Sequence, residues 1–162
     1  MTLEDAAKLP REEQFERLAR GPEALGQVIA GQGDAILSRR PDAKSWAPTE
    51  VICHLRDTEE SFGERFRLIL AFEDPALGVT DVDRWADERQ YLRNDPVRAL
   101  AAFARRREET LATLRALKPG DWQRAGVHPR RGRMALADFA ALMVWHDENH
   151  LDQTRRGLRG EA

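Results

Sequence analysis

The sequence contains one cysteine, Cys53, among its 162 residues. A single thiol excludes an intramolecular disulfide and a thiolate-rich zinc cluster, and it is compatible with a reducing compartment. Any metal site in this chain must therefore draw on histidine or carboxylate ligands.

Long apolar runs are also missing. No stretch approaches the roughly 20 apolar residues that span a bilayer, and the first residues, MTLED, lack the basic and apolar regions of a secretory signal. We therefore expect a cytoplasmic protein with no membrane partner.

Neither sign of charge is in excess, because 26 basic and 28 acidic side chains leave a net charge of -2. A nearly neutral chain has no general attraction for nucleic acid. The arginine clusters 105–107 and 130–131 have acidic neighbours and no aromatic stacking platform, so we interpret them as solvated surface. The absence of a G-x-S-x-G elbow and of a glycine-rich phosphate loop disfavours serine catalysis and nucleotide binding. A small-molecule substrate is the expected partner.

What the sequence does contain is helix-forming residues divided by proline and glycine. Abundant Ala, Leu, Arg and Glu favour an all-α protein, and the length fits one domain over residues 1–162. Helix start and stop signals predict four long helices, over residues 21–40, 48–74, 95–118 and 134–156.

The four-helix bundle is accordingly expected over residues 21–158, after an N-terminal extension over residues 1–20. Part of that extension, residues 10–20, could form a short helix of its own. About two dozen residues, including Trp85 and Tyr91, separate the second and third predicted helices. A loop of that length in a compact domain is often functional, as a lid or a dimer contact.

The fourth predicted helix carries two histidines in its inward-facing stripe. This stripe follows alternating steps of three and four residues: Leu136, Phe139, Met143, His146 and His150. The H-x-x-x-H spacing places both imidazoles one turn apart on one face. The spacing alone is a weak signal, and two hydrogen-bonded or surface histidines are the plain alternative. Burial of each ring without a partner would cost about 1–3 kcal/mol, however, and a shared metal ion would satisfy both.

A third nitrogen can come from His54 on the second predicted helix, beside an apolar stripe in which Arg65 is the odd polar member. Three neutral imidazoles with an open fourth position are typical of a catalytic zinc site. We therefore predict that His54, His146 and His150 bind one divalent metal ion. Such ligands suit zinc, nickel, copper and iron alike; zinc is our first expectation and nickel the next.

Two further residues are candidates for outer contacts of this site. Asp57 lies one turn after His54 and could orient an imidazole, although a solvated carboxylate is an equal alternative. His128 lies in a loop, where it could contact the site or substrate or could simply be exposed. Cys53 is predicted to be a buried thiol that does not share the metal, because neighbours on a helix point about 100° apart.

A general base cannot be chosen from the sequence, because acidic residues are common near the histidines. The candidates are Glu50, Glu59, Asp147 and Glu148.

Several segments match one known family in sequence order: residues 46–57 (WAPTEVICHLRD), 64–67 (ERFR) and 84–86 (RWA), then His128-Pro129 with Gly132, then Trp145-His146 and His150-Leu151. On these residues, which span roughly 22 to 158, the chain resembles the DinB superfamily, and within it the YfiT-like branch of metal-dependent hydrolases and bacillithiol S-transferases. The resemblance implies an up-down-down-up four-helix bundle, a three-histidine metal site on the second and fourth helices, and often a homodimer.

The resemblance also implies a chemistry, in which the metal lowers the pKa of a low-molecular-weight thiol that then attacks an electrophile. The chain departs from the family pattern at two places that bear on the substrate. Cys53 stands where a second histidine is expected, and residues 147–149 are acidic where smaller or basic residues are expected. Three functions follow as expectations. The first is thiol transfer, the second is hydrolysis by metal-activated water, and the third is non-catalytic binding of a metal or ligand in a stress response.

Overall fold

The computed structural model describes residues 1–162 and is mostly helical. The elements are α1 (Leu3–Lys8), α2 (Arg11–Ile29), α3 (Asp34–Leu37), α4 (Pro48–Ala71), α5 (Val82–Glu88), α6 (Pro96–Arg115), β1 (Ala125–His128), β2 (Gly132–Ala135) and α7 (Leu136–Arg159). Two 3-10 turns, Tyr91–Arg93 and Pro119–Gln123, complete the chain. None of the helices combines the length and the apolar character that crossing a membrane requires.

The four long helices begin and end at residues suited to those positions. Pro48 and Pro96 occupy the first turns of α4 and α6, where a missing N–H is harmless. Asp95 caps α6 by accepting from two backbone N–H groups, and Asp138 accepts from the backbone at the start of α7. Gly160, with φ of 76°, ends α7 in the left-handed conformation.

The helices α2, α4, α6 and α7 form the bundle, with α2 diagonally opposite α4 and α6 diagonally opposite α7. α2 is antiparallel to α6, because Arg115 lies over the ring of Phe15 while Leu100 lies beside Gly26.

α4 runs parallel to α6, since Arg56 bonds Asn94 just before α6 and Glu60 pairs with Arg106 further along. α7 is antiparallel to α4, because its last turn packs against the first turn of α4. The predicted up-down-down-up bundle with a long connection between its second and third helices is therefore confirmed. Two adjacent parallel helices need such a connection to return the chain to the starting end.

The first bundle helix differs from its prediction. α2 begins at Arg11 and ends at Ile29, so the expected helix over 21–40 is wrong, and residues 10–20 form neither a separate helix nor a segment outside the bundle. Gly21 and Pro22 lie in the middle of α2 rather than at its start. The short helix α3 and a loop occupy residues 30–47.

A buried arginine explains why glycine and proline are tolerated there. Pro22 has no N–H to donate to the carbonyl of Leu18, and Nη1 of Arg107 donates to that carbonyl at 2.9 Å instead. At Gly21 an added Cβ would lie 3.1 Å from Oδ2 of Asp147, so the absence of a side chain lets α7 approach closely.

Arg107 joins all four bundle helices through one guanidinium group. Its nitrogens donate to both carboxylate oxygens of Glu59 on α4, at 2.7 and 3.0 Å, and to Asp147 on α7 at 2.5 Å. The side chains of Arg107 and Glu59 are only 2% and 1% exposed. The interpretation of the arginine cluster 105–107 as solvated surface is thus wrong for Arg107.

The sequence analysis also missed the hairpin of β1 and β2, which pairs Ala125 with Ala135 and His128 with Gly132. Gly132 has a φ of 72° at the turn, a conformation that glycine adopts without strain. Leu77 packs so closely on Gly126 that an added Cβ would lie 2.9 Å from it. The hairpin places His128 beside α4.

Replacing Arg107 by methionine should destabilise the fold by about 3–5 kcal/mol, because two buried carboxylates lose their only cation. Urea unfolding followed by circular dichroism measures this change. Arg98→Met is the matched control, since Arg98 is 90% exposed on the same helix and should change stability by less than about 0.5 kcal/mol. Equal stability of the two variants would contradict the proposed role of Arg107.

Candidate metal centre

Three histidines converge where α4 and α7 face each other. One ring nitrogen from each of the three residues lies within 4.8 Å of the corresponding nitrogens of the other two. Nε2 of His54 lies 2.9 Å from Nε2 of His146, and the ring centres of His54 and His150 are 4.5 Å apart. The structure thus brings together the three residues that the sequence predicted to share a metal.

Burial keeps two of these imidazoles neutral. Burial, and after it the neighbouring His146 and His150, holds the pKa of His54 well below its ordinary value. Burial, followed by His146, lowers the pKa of His150 to about 3. Neutral imidazole is the form that coordinates a metal ion, so no proton has to be displaced from these two rings at neutral pH.

The outward ring nitrogens indicate how the imidazoles are oriented. Nδ1 of His150 lies 2.7 Å from Oε1 of Gln153, and Nδ1 of His54 lies 3.3 Å from the hydroxyl of Thr58. The contact with Gln153 holds Nε2 of His150 toward the cluster, as outer partners of metal-bound histidines do. The hydroxyl of Thr58 does not distinguish the two nitrogens of His54, because it also lies 3.4 Å from Nε2.

The outer nitrogen of the third ligand is unpaired. Nδ1 of His146 is buried without a hydrogen-bond partner, and the nearest carboxylate oxygen, Oδ1 of Asp147, is 3.7 Å away. An imidazole that binds metal through Nε2 carries its proton on Nδ1, and a small ring rotation would direct that proton to Asp147. The convergent donors and this orphaned nitrogen fit a divalent metal ion held by His54, His146 and His150.

The profile of the DinB superfamily matches residues 17–154 of the chain. The chain belongs to the DinB superfamily. Curated relatives include YfiT of Bacillus subtilis, which is named for a metal-dependent hydrolase activity and is 26% identical over 91% of this chain and 84% of YfiT. A relative from Oceanobacillus iheyensis with the same kind of name is 24% identical over 85% of this chain and 79% of its own length.

The solved structure of YfiT shares the fold of this DinB protein. The two match with a TM-score of 0.87 at 25% identity, covering 96% of this chain and 92% of YfiT. YfiT is described as a probable metal-dependent hydrolase with an unusual four-helix bundle topology, and the topology agrees with the order of helices in this chain.

Neither predicted outer residue contacts a histidine of the cluster in this DinB chain. Asp57 accepts instead from Arg56, Arg89 and the hydroxyl of Tyr91, the last at 2.8 Å, so the expected contact with an imidazole is absent. Asp57 lies three residues after His54 and is therefore offset by about 60° around the helix axis, toward the connection between α4 and α6 that supplies Arg89 and Tyr91. This network anchors that connection, and Tyr91 is fully buried in it.

His128, the other outer candidate, lies on β1 and accepts from the backbone N–H of Arg130 at 3.2 Å. Partial burial lowers its pKa, and the positive charge of Arg65 adds to this effect. His128 therefore belongs to the surroundings of Arg65 rather than to the three histidines.

All four candidate general bases are held by arginines. Glu59 and Asp147 both pair with Arg107, while Glu50 pairs with Arg40 at 2.5 Å. Glu148 pairs with Arg17. Each of these four carboxylates thus already has an arginine partner. The sequence analysis did not predict that Asp147 would lie beside the metal centre, 3.7 Å from Nδ1 of His146.

Replacing any one of the three histidines by alanine removes a ligand of the metal and should greatly weaken metal binding. Loss of an outer partner typically lowers metal affinity by roughly 10- to 100-fold, and loss of a ligand should lower it further. Competition with a chromophoric chelator measures the affinity, and elemental analysis gives the metal content. His128→Ala should bind metal as the wild type does. Equal metal content in wild type and His146→Ala would show that the histidines do not share one ion.

Cys53→Ala should keep its metal, because Sγ of Cys53 points away from the cluster, toward the carbonyl oxygen of Tyr91 at 3.9 Å. Burial raises the pKa of this thiol to about 11, so about one molecule in a thousand carries the thiolate at pH 8. Reaction with a thiol reagent at pH 8 should be slow in the native protein and rapid after unfolding. Fast native labelling would overturn this assignment.

Proposed function

We propose that the chain is a metal-dependent enzyme that activates a low-molecular-weight thiol and transfers it to a small electrophile, as a bacillithiol-type S-transferase does. The observation that carries the proposal is the cluster of three convergent imidazoles, two of them kept neutral by burial, with no carboxylate beside it that lacks an arginine partner. When bound there, a divalent ion lowers the pKa of a thiol and stabilises the thiolate. Zinc is the ion that we propose first and nickel the second.

The protein side chains then have two tasks in this reaction. His54, His146 and His150 would hold the ion, and Gln153 would fix the orientation of the His150 ring. The sulfur–hydrogen bond of the thiol is broken and its proton passes to solvent. A sulfur–carbon bond forms as the electrophile releases its leaving group, so no protein carboxylate is required as a base.

Hydrolysis is the second candidate, and the names of the relatives favour it. Metal-activated water would be the nucleophile. This reaction often uses a carboxylate base, and the arginine pairing of Glu50, Glu59, Asp147 and Glu148 makes those residues unsuitable for that task. The arrangement of charges thus supports thiol activation over general-base hydrolysis.

A small-molecule substrate and a homodimer complete the proposal. A binding protein without catalytic activity is the remaining alternative, and the absence of turnover with every substrate tested would favour it.

The decisive experiment uses cobalt in place of the native ion. Addition of bacillithiol, cysteine, glutathione or coenzyme A should produce a sulfur-to-cobalt charge-transfer band and release a proton to a weakly buffered solution. Conjugation should follow when a generic electrophile is supplied. His150→Ala is the control that should lose both the band and the conjugation.

The opposite result separates the two reactions. A hydrolase would cleave a test ester without added thiol, and a thiol that occupies the same position would inhibit it. Cobalt protein that gives no band with any of the four thiols, yet cleaves the ester in a His150-dependent way, would replace the transferase proposal with hydrolysis.

A further inference from the structure

A second polar cluster lies along α4 beyond the histidines. Starting at His54, the same face of α4 carries Thr58, Ser61 and Arg65, at steps of four, three and four residues. All four residues are buried, with exposed fractions between 4% and 9%. A buried polar stripe therefore leads from the metal centre to Arg65.

Arg65 lacks the partner that a buried guanidinium normally has. It is 7% exposed, and no carboxylate lies within 4.0 Å of it. Arg107 is buried between two carboxylates, and Arg56 pairs with Asp57. Burial of an unpaired charge is costly, so a structural role alone gives no reason to keep Arg65 in this position.

The donors of Arg65 are only partly used. Nη2 donates to the hydroxyl of Thr80 at 2.8 Å and to the carbonyl of Gly78 at 3.3 Å, while Nε and Nη1 have no protein acceptor. The hydroxyls of Ser61 and Thr80 lie 3.2 Å apart. One of their two hydrogens serves that mutual bond, which leaves the other for an acceptor outside the pair.

The charged groups around His128, which lies next to Arg65, are positive. Partial burial lowers the pKa of His128, and Arg65, Arg131 and Arg130 lower it further. The one acidic neighbour with an effect on Arg65 is the exposed Glu64, which makes no ion pair with it. This end of the stripe favours an anion.

We propose that Arg65, together with Ser61 and Thr80, binds an oxyanion group, a carboxylate or phosphate, of the small molecule whose reactive atom lies at the three histidines. A planar guanidinium with free N–H groups and a neighbouring hydroxyl is suited to such a group. Thr80 bridges the guanidinium to Ser61, and Ser61 is seven residues from His54, so the oxyanion lies about 10 Å from the metal centre. This oxyanion site rests on the proposed function, and it gives the substrate of that reaction an acidic group about 10 Å from the metal centre.

Mercapto-acids and mercapto-alcohols of equal length test the assignment on cobalt-loaded protein. The series runs from mercaptoacetate through mercaptohexanoate to mercaptoundecanoate, each compared with its alcohol by titration of the charge-transfer band. Wild type should prefer the acid by roughly tenfold or more at an intermediate length that spans the two sites. Arg65→Met should abolish the preference with metal content unchanged, and Arg65→Lys should retain part of it.

Arg67→Met is the matched control, because Arg67 is exposed on the same helix two residues away. It should prefer the acid as the wild type does. Equal affinity of wild type for acid and alcohol at every length would overturn the proposal, and so would an unchanged preference in both Arg65 variants.

A separate measurement keeps the result independent of the thiol. Succinate and inorganic phosphate are titrated into zinc-loaded protein by calorimetry at low ionic strength, with no thiol present. Binding to wild type and Arg67→Met that is lost in Arg65→Met supports the oxyanion site even if no thiol gives a cobalt band. Equal or absent binding in all three proteins rejects the site even if thiol transfer is confirmed.

Discussion

The structure depends on one buried guanidinium. Arg107 neutralises Glu59 and Asp147 and also supplies the hydrogen bond that Pro22 removes from the carbonyl of Leu18. These contacts come from α4, α7 and α2, so one side chain fixes how three helices pack around α6. Its burial is compatible with folding only because every partner is present.

The same interaction reaches the metal centre through adjacent residues of α7. Both oxygens of Asp147 accept from Arg107, and one of them, Oδ1, lies 3.7 Å from the unpaired Nδ1 of His146. The packing of the bundle and the orientation of one metal ligand are therefore coupled. This coupling also removes Asp147 from the supply of proton acceptors, which bears directly on the reaction that the site can perform.

The sequence predicted the parts of the molecule that rest on local patterns. The helices α4, α6 and α7 have clear start and stop residues, and the three histidines occupy inward positions on two of them. The start of α2 was mispredicted because Gly21 and Pro22 normally mark a helix boundary, and only contacts with residues distant in sequence make them tolerable inside a helix. Arg107 resembled a surface charge for the same reason, since its partners lie 40 and 48 residues away.

The diagonal placement of α2 and α4 has a consequence for folding. In a simple up-and-down bundle each helix packs against the next one in sequence, and such local contacts form quickly. Here α2 packs against α6 and α7, which lie much later in the sequence. His54 likewise contacts His146, which is 92 residues away in sequence. Folding rates fall as contacts become less local, so the chain should fold more slowly than an up-and-down bundle of its size. The metal centre is assembled only when α7 has docked against α4.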